Sequence, residues 1–413
     1  MVRACKAITV SFWPPMHPAR LHCSSFTYSR YARPSRLDDR APAQRCHCYC
    51  LTEPNGIMWR RTLPLGLSLI VGLLCALVPE AVAAEVPRVR LITTGGTISN
   101  RPGERLSPAE LIASVPDLDE LVEAQTEEFA NVSSNSLTLE QWLHLSRRLN
   151  AVFAEDPDLA GIVLTSGTDT LEELAYFLHL TVRHERPVVV VGSMRRPETL
   201  GYDGAANLRQ AFRVAADPGS RGRGVLVVLN DEINSAREVT KTDALHLQTF
   251  ETRRYGALGV TARDRVVYYR SVERHHTAAS EFDVDQIQQL PRVDIVMAYQ
   301  GASGDLVRAA VDRGADGIVI AGAGAGSTSG GQRDAIAYAY ENGVLVVITT
   351  RTGGGRIAPR QPTAEEAAPD PDTPRRLRVS GEDLAPVKAR ILLMLALTVT
   401  DDVDDIQRMF GEY

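Results

Sequence analysis

The sequence Thr94-Gly95-Gly96-Thr97-Ile98 follows the largely apolar run 89–93, and Gly167-Thr168-Asp169-Thr170 follows the apolar run 162–164. Each stretch has the pattern of a strand, a tight polar turn and a helix. In an open α/β sheet, ligands bind outside the carboxyl ends of the strands. Both turns are therefore expected at the place where a binding site forms.

The N-terminal half of the chain alternates apolar strands with helices. Continuous β-branched runs at 187–191 and 225–229 are typical of strands buried on both faces of a parallel sheet. Helices are predicted around these strands at 138–153, 171–178 and 207–216. The sequence predicts an α/β fold, in which residues 85–272 form a larger N-terminal domain with a mostly parallel sheet.

A charged and polar segment, residues 273–291, follows this domain and is interpreted as a linker. The alternation then resumes, and residues 292–413 are predicted to form a smaller C-terminal α/β domain. Its last helix is expected at 386–400. The stretch 358–378, rich in Pro, Glu and Asp, is expected to form a surface loop. In the first domain, residues 255–270 are typical of a hairpin or a pair of edge strands.

Residues 58–84 have the composition of an export signal. Arg60 and Arg61 precede an apolar run at 63–78, and small residues of the A-x-A type follow at 81–84. A membrane anchor is the alternative, but the run is shorter than the roughly 20 apolar residues that a spanning helix needs. We expect a signal peptide, no stable membrane anchor, and a periplasmic or secreted protein.

Residues 1–57 precede this signal, although an export signal normally lies at the N-terminus. They are rich in Arg, Pro, His and Cys and show no periodicity. We expect a gene-model extension, with translation starting at Met58; a disordered basic tail is the alternative. All six cysteines precede residue 85, so the exported chain is expected to contain no disulfide, no thiol nucleophile and no sulfur metal site.

The net charge changes at the same boundary. Residues 1–84 carry a net charge of +6 and the whole chain carries −6, so the remainder carries −12. An exported protein of this charge is not expected to bind nucleic acid or an anionic membrane surface.

The two threonine turns have the chemistry of an anion site. A glycine-rich turn before a helix exposes backbone N–H groups, and the helix N-terminus adds positive potential. The turns at Gly96 and Gly167 therefore favour a carboxylate or a developing oxyanion. A hydroxyl on these turns, at Thr97 or Thr168, becomes a nucleophile where a base removes its proton. The alternative is an ordinary strand–helix connection; neither turn has the G-x-G-x-x-G spacing of a dinucleotide site.

Lysine usage indicates a further functional residue. After residue 84 the chain contains Lys241 and Lys388 against thirty-three arginines. Lysine can release its proton when buried and arginine cannot, so a retained lysine indicates that its chemistry matters. Thr168, Asp169 and Lys241 supply a hydroxyl, a carboxylate and an amine, which is a triad by chemical role. A structural ion pair is the alternative for Lys241, and Lys388 is interpreted as structural.

Further motifs accompany the two turns: Glu172-Glu173, 191–195, Asp203-Gly204 with Asn207-Leu208, and Val239-Thr240-Lys241-Thr242. With these motifs, the chain from Val89 to Tyr413 resembles the bacterial type II L-asparaginases of the asparaginase/glutaminase family. The order and spacing of the two threonine turns are the most specific part of the resemblance.

The resemblance implies hydrolysis of L-asparagine to L-aspartate and ammonia, without a cofactor or a metal. It implies that Thr97 attacks the side-chain amide and forms an acyl-enzyme. Thr168, Asp169 and Lys241 are then expected to move protons and activate water. The family fold has a larger N-terminal and a smaller C-terminal α/β domain, in a homotetramer with sites between subunits.

The implied substrate-binding residues are Ser134 and Asn135, with Gly96 and Gly167 in the turns. In the family, a serine that matches Ser134 binds the substrate α-carboxylate. The next residue is commonly glutamine, whereas here it is Asn135, which is one methylene shorter.

Two further positions differ from the family pattern. The loop 99–106 lacks the tyrosine that helps to activate the nucleophile in the family, and Arg105 or a neighbouring subunit is a candidate to replace it. Gly301 lies where an asparagine often reaches the site of a neighbouring subunit.

Three functions fit these observations. The leading hypothesis is an exported asparaginase that acts on small-molecule L-asparagine, with glutaminase activity as an extension to L-glutamine. The second is an amidohydrolase of the same mechanism on another small amide. The third is a non-catalytic periplasmic binder of acidic amino acids, which the combination of Thr168, Asp169 and Lys241 disfavours, since a binder needs no proton relay.

Overall fold

The structure is a computed structural model and describes residues 86–360 and 377–413. The expected signal peptide at 58–84 and the segment 1–57 lie outside these residues. Within the two described ranges, no helix has both the length and the apolar composition needed to cross a membrane.

Strands form the frame of both halves of the chain. They are, in chain order, β1 (Arg88–Gly95), β2 (Glu123–Val132), β3 (Gly161–Thr165), β4 (Val188–Val191), β5 (Val225–Leu229), β6 (Glu232–Ser235), β7 (Thr240–Lys241), β8 (Phe250–Glu251), β9 (Gly259–Thr261), β10 (Val266–Tyr268), β11 (Val293–Met297), β12 (Gly317–Gly322), β13 (Leu345–Thr350) and β14 (Arg378–Ser380).

The larger sheet has the strand order β10-β9-β6-β5-β4-β3-β1-β2. The neighbours β2, β1, β3, β4 and β5 are parallel, whereas β6, β9 and β10 are antiparallel to the strands beside them. The chain passes from β1 to β2 on one side and then returns to β3 on the other. The strand order therefore reverses at β1, and ligands of such sheets bind at this switch point.

Helices connect these strands and cover the sheets. The α-helices are α1 (Pro108–Ala113), α2 (Leu139–Glu155), α3 (Leu171–Thr181), α4 (Gly204–Ala216), α5 (Asp305–Asp312), α6 (Gly330–Glu341), α7 (Pro386–Ala396) and α8 (Val403–Glu412). Capping boxes begin three of them, with Ser107, Thr138 and Ser329 as the capping residues. Ser107 accepts a hydrogen bond from the N–H of Glu110, and Thr138 accepts one from the N–H of Gln141. A cap of this kind stabilises a helix by about 1 kcal/mol.

The smaller sheet contains β11, β12, β13 and β14, which are parallel throughout. Helix α7 packs against this sheet and also against α3 of the first domain. Buried residues of α7, such as Leu392, belong to the same apolar cluster as Phe177 and Leu178 of α3. The predicted larger and smaller α/β domains are confirmed, and one apolar core joins them.

The C-terminal end differs from the sequence prediction. The helix expected at 386–400 ends at Ala396, and a second helix, α8, begins after Asp402. The Asp402 carboxylate accepts hydrogen bonds from the N–H groups of Asp404 and Asp405, so it caps α8. A run of closely spaced aspartates is typical of a loop in sequence. Helix α8 forms because its apolar residues, such as Phe410, pack into the shared core.

Three other predicted segments have different outcomes in the structure. The predicted hairpin at 255–270 is confirmed as the antiparallel pair β9–β10. The segment interpreted as a linker has Phe282 and Val284 fully buried in the shared core. Most of the expected surface loop 358–378 lies outside the described residues, and Arg378 begins strand β14 rather than ending a loop.

Candidate active site

The two threonine turns touch each other through their glycines. They follow β1 and β3, which pair in parallel with Thr93 opposite Thr165. A Cβ atom built on Gly96 would lie 2.4 Å from the backbone nitrogen of Gly167, and Gly96 has a positive φ of 92°. Glycine is therefore required at position 96 both by the approach of a second backbone and by its own dihedral angles.

Ser134 reaches the same place from the end of β2. It is buried in a short 3₁₀ turn, Ser134–Ser136, and a Cβ atom built on Gly167 would lie 2.9 Å from its Oγ. The ends of β1, β2 and β3 thus bring Gly96, Gly167 and Ser134 into contact. Asn135 is exposed on the same turn.

Thr97 begins a 3₁₀ turn, Thr97–Ser99, and is half-buried. The next residue, Ile98, is fully buried, and its carbonyl accepts a hydrogen bond of 2.8 Å from the hydroxyl of Tyr202. In the part of the chain that the structure describes, the Thr97 hydroxyl has no hydrogen-bond partner. A fixed backbone with a free hydroxyl suits a group that must attack a substrate.

Lys241 brings a cation to the second turn. Its Nζ lies 3.1 Å from Oγ1 of Thr168 and 2.8 Å from Oδ1 of Asp169. The Lys241 and Thr168 side chains are largely buried, whereas the Asp169 side chain is 76% exposed. Of the three groups predicted to form a triad, the amine of Lys241 therefore contacts both the hydroxyl and the carboxylate.

The strand that carries Lys241 is held by Glu172 in the first turn of α3. Oε1 of Glu172 accepts hydrogen bonds from Oγ1 of Thr240 at 3.0 Å and from the backbone N–H of Lys241 at 3.3 Å. On the other side, Lys241 pairs with Phe250 across the short β7–β8 ladder. Glu172 and the pairing with β8 therefore hold the backbone of Lys241. Its amine contacts Thr168 and Asp169, which lie on the turn directly before α3.

The backbone of the second turn is open to an anion. Among residues 86–360 and 377–413, none accepts a hydrogen bond from the backbone N–H groups of Gly167, Thr168 or Asp169. These groups lie just before the N-terminus of α3, which adds positive potential. In contrast, the N–H of Gly96 already donates to the carbonyl of Val132 at 2.9 Å. The expected anion-binding backbone is therefore free at Gly167, while Gly96 acts by allowing close approach.

Arg105 lies where the loop 99–106 meets the first threonine turn and the end of β2. Its Nη1 donates to the carbonyl of Gly96 at 3.1 Å, and its Nη2 lies 3.5 Å from Oγ of Ser133. The arginine named as a candidate replacement for the loop tyrosine thus contacts the backbone beside Thr97.

Sequence reasoning missed the role of two residues around Lys241. In the sequence, Glu172 stands out only as part of the motif Glu172-Glu173, whereas in the structure it holds the segment that carries the lysine. Thr240 supplies one of the hydrogen bonds to Glu172. The motif Val239-Thr240-Lys241 is recognisable in the sequence. That Glu172 is its hydrogen-bond partner follows only from the packing of α3 beside β7.

Two family models match the chain, one in each domain. The model of the asparaginase N-terminal domain matches residues 88–274, and that of the glutaminase/asparaginase C-terminal domain matches residues 292–410.

Individual relatives match over most of their lengths. "L-asparaginase 2" of Bacillus subtilis is 41% identical over 80% of this chain and 87% of its own length. "Glutaminase-asparaginase" of Pseudomonas fluorescens is 37% identical over 80% of this chain and 91% of its own. A solved structure titled as a probable cytoplasmic L-asparaginase from Campylobacter jejuni is 37% identical, covers 79% of this chain and all of its own, and has a TM-score of 0.71. The chain belongs to the asparaginase/glutaminase family.

Proposed function

We propose that this protein hydrolyses the side-chain amide of L-asparagine to L-aspartate and ammonia through a threonine acyl-enzyme. The observation that carries the proposal is the contact of the Lys241 amine with both Thr168 and Asp169, on a turn that touches the turn of Thr97. A nucleophile, a proton relay and an anion-binding backbone are thereby gathered at one edge of the sheet.

In the first half of the reaction, Oγ of Thr97 forms a bond to the amide carbon and the carbon–nitrogen bond breaks. The hydroxyl proton passes to the leaving nitrogen, which departs as ammonia. Arg105, bonded to the carbonyl of Gly96, holds the backbone from which Thr97 projects.

In the second half, water attacks the ester carbon and the bond to Oγ of Thr97 breaks. One proton of the water returns to Thr97, and aspartate leaves. The Thr168 hydroxyl and the Lys241 amine, 3.1 Å apart, are within the distance over which a proton is exchanged. Asp169, 2.8 Å from Nζ, balances the charge of the lysine during this exchange.

The α-carboxylate of the substrate is assigned to Ser134 and to the free N–H groups at Gly167. Asn135, which is exposed beside Ser134, is assigned to the polar end of the amino acid. Because Asn135 is shorter than the glutamine usual in the family, we expect this protein to differ from its relatives in the size of the substrate that it accepts. L-Glutamine is therefore proposed as a second substrate, in line with the relatives that are named glutaminase-asparaginases.

A homotetramer is proposed as the working form. The edge strand β11 exposes one apolar face, on which Ile295 and Met297 are spaced by two, and Tyr299 just after the strand is also exposed. Leu306, in the first turn of α5, is also exposed. A second copy of the chain is the proposed occupant, and light scattering of the purified protein measures its mass. A periplasmic or secreted location is proposed from the signal sequence at 58–84.

The direct test is ammonia release from L-asparagine, L-glutamine and D-asparagine by the purified protein. We expect the fastest release from L-asparagine. Thr97→Val keeps the shape of the side chain but removes the hydroxyl, so it should abolish turnover while aspartate binding remains measurable by calorimetry. Binding of aspartate without ammonia release by the unmodified protein would instead support a binding protein.

A further inference from the structure

Two lysines that are far apart in the sequence meet at one carboxylate. After residue 84 the chain contains only Lys241 and Lys388. Lys241 lies in the candidate active site of the N-terminal domain, and Lys388 lies in the first turn of α7 in the C-terminal domain. Glu172 contacts both: its Oε1 accepts the backbone N–H of Lys241, and its Oε2 lies 3.9 Å from Nζ of Lys388.

Lys388 is buried at the packing surface of the two domains. Its side chain is 2% exposed, and its ammonium donates hydrogen bonds to the carbonyls of Arg237, at 3.0 Å, and Val239. These two carbonyls belong to the segment that leads directly into Thr240 and Lys241. A cation from α7 therefore fixes the backbone immediately before the active-site lysine.

The Glu172 carboxylate depends on the same cation. Its Oε1 accepts hydrogen bonds from Thr240 and Lys241, but its buried Oε2 has no hydrogen-bond partner in the described part of the chain. The ammonium of Lys388 is the charge that faces this oxygen. A buried carboxylate without a nearby cation is costly, so without Lys388 the carboxylate would move or take up a proton.

We infer that Lys388 is a positioning residue for the reaction: it holds Glu172 and the backbone at 237–239, and through them it places the Lys241 amine against Thr168 and Asp169. The inference rests on the proposed function. It assigns a role to the C-terminal domain within a single subunit, because α7 supplies the cation that orients a residue of the N-terminal domain.

The surroundings of Lys388 make this support sensitive to pH. The titratable groups that face it are Glu172 and Tyr176 of α3, Arg237 and Glu238 after β6, and Asp383 before α7. Burial, aided by the charge of Arg237, lowers the pKa of Lys388 to about 8, although Glu172 opposes the change. The ammonium is therefore present below that pH and is lost as the pH rises through it. We expect kcat to fall on the alkaline side as the support of Lys241 is lost.

The variant Lys388→Met keeps an unbranched apolar side chain and removes the terminal ammonium, with its charge and its donors. We expect kcat for L-asparagine to fall at least about tenfold with a change in KM below about threefold, since misplaced catalytic groups lower kcat strongly. The alkaline decline of kcat near pH 8 should disappear from the residual activity. Arg390→Met is the matched control, because Arg390 lies on the same helix but donates to the carbonyl of Val293; it should keep kcat and the alkaline decline.

A spectroscopic measurement separates this inference from the proposed function. The sequence contains three lysines, Lys6, Lys241 and Lys388, so ε-¹³C-lysine labelling gives few signals, which Lys241→Arg and Lys388→Met assign. The signal of Lys241 should shift in Lys388→Met and in Glu172→Gln but not in Arg390→Met. This result is expected even where no ammonia is released, in which case only the proposed function fails.

Two results would overturn the inference. One is a Lys388→Met variant with unchanged kcat and an unchanged alkaline decline. The other is a Lys241 signal that is unaffected by Glu172→Gln, which also decides the question if Lys388→Met does not fold.

Discussion

The Gly96–Gly167 contact determines how closely the two threonine turns approach. A side chain at either glycine would meet main-chain atoms or Ser134, which are not free to move aside as the end of a flexible side chain is. The relative positions of Thr97 and Thr168 therefore depend on two glycines that have no functional group of their own.

Gly96→Ala tests this dependence. The added Cβ would lie 2.4 Å from the nitrogen of Gly167 and would impose a positive φ on alanine. We expect a loss of about 2 kcal/mol or more in the free energy of unfolding, and a loss of turnover even where the variant folds. Denaturant unfolding and ammonia release measure the two effects.

Gly103→Ala is the matched control for this change. Gly103 also has a positive φ, of 87°, but a Cβ atom there meets nothing within 4 Å. This variant should lose about 1 kcal/mol in the free energy of unfolding and should keep its turnover. Equal effects of the two alanines would mean that backbone strain alone, and not the contact between the turns, is responsible.

Lys241→Arg tests whether the lysine transfers a proton or only forms an ion pair. Arginine keeps the positive charge but does not release its proton, so the contact with Asp169 can persist while the exchange with Thr168 cannot. We expect most of kcat to be lost with little change in thermal stability. A variant with full activity would show that charge alone is sufficient at this position.

Local sequence predicted the elements whose signals are local. The capping pairs Ser107–Glu110 and Thr138–Gln141 are local signals, because each cap joins residues only three positions apart. The buried strands β4 and β5 were recognisable as β-branched runs for the same reason. Helix α8 and the buried segment around Phe282 were missed, because both depend on contacts with distant parts of the chain.

The same distinction applies to the candidate site. Composition and motif order were sufficient to name Thr168, Asp169 and Lys241, which the structure brings into contact. Nothing in the sequence indicates that Lys388 lies beside Glu172, since that pair forms only when α7 packs on α3. The scarcity of lysine draws attention to both lysines in the sequence. That both contact Glu172 follows only from the three-dimensional structure.

At the scale of the whole molecule, the shared core contains a histidine that resists protonation. His179 of α3 is fully buried, and its Nδ1 accepts a hydrogen bond from the N–H of Val225. Burial, together with the adjacent His276, holds the pKa of His179 well below its ordinary value. The unfolded chain therefore binds a proton that the folded protein does not.

The sign of the resulting pH dependence follows from this difference. The contribution of neutral His179 to the free energy of unfolding is complete above the unfolded pKa of about 6.5. It is lost as the pH falls below that value, by up to about 1.4 kcal/mol per pH unit. Denaturant unfolding between pH 7 and pH 5 measures this slope. His179→Gln should reduce the slope, whereas His144→Gln, at an exposed position of α2, should not. A slope that His179→Gln leaves unchanged would assign the acid sensitivity to other groups.

If Thr97 is the nucleophile, it forms a covalent intermediate with the substrate. Rapid acid quenching of the protein with L-asparagine, followed by proteolysis and mass spectrometry, detects this intermediate. We expect an aspartyl ester on the peptide that contains Thr97, with no such ester in Thr97→Val. An ester on the peptide that contains Thr168, or normal turnover by Thr97→Val, would contradict it.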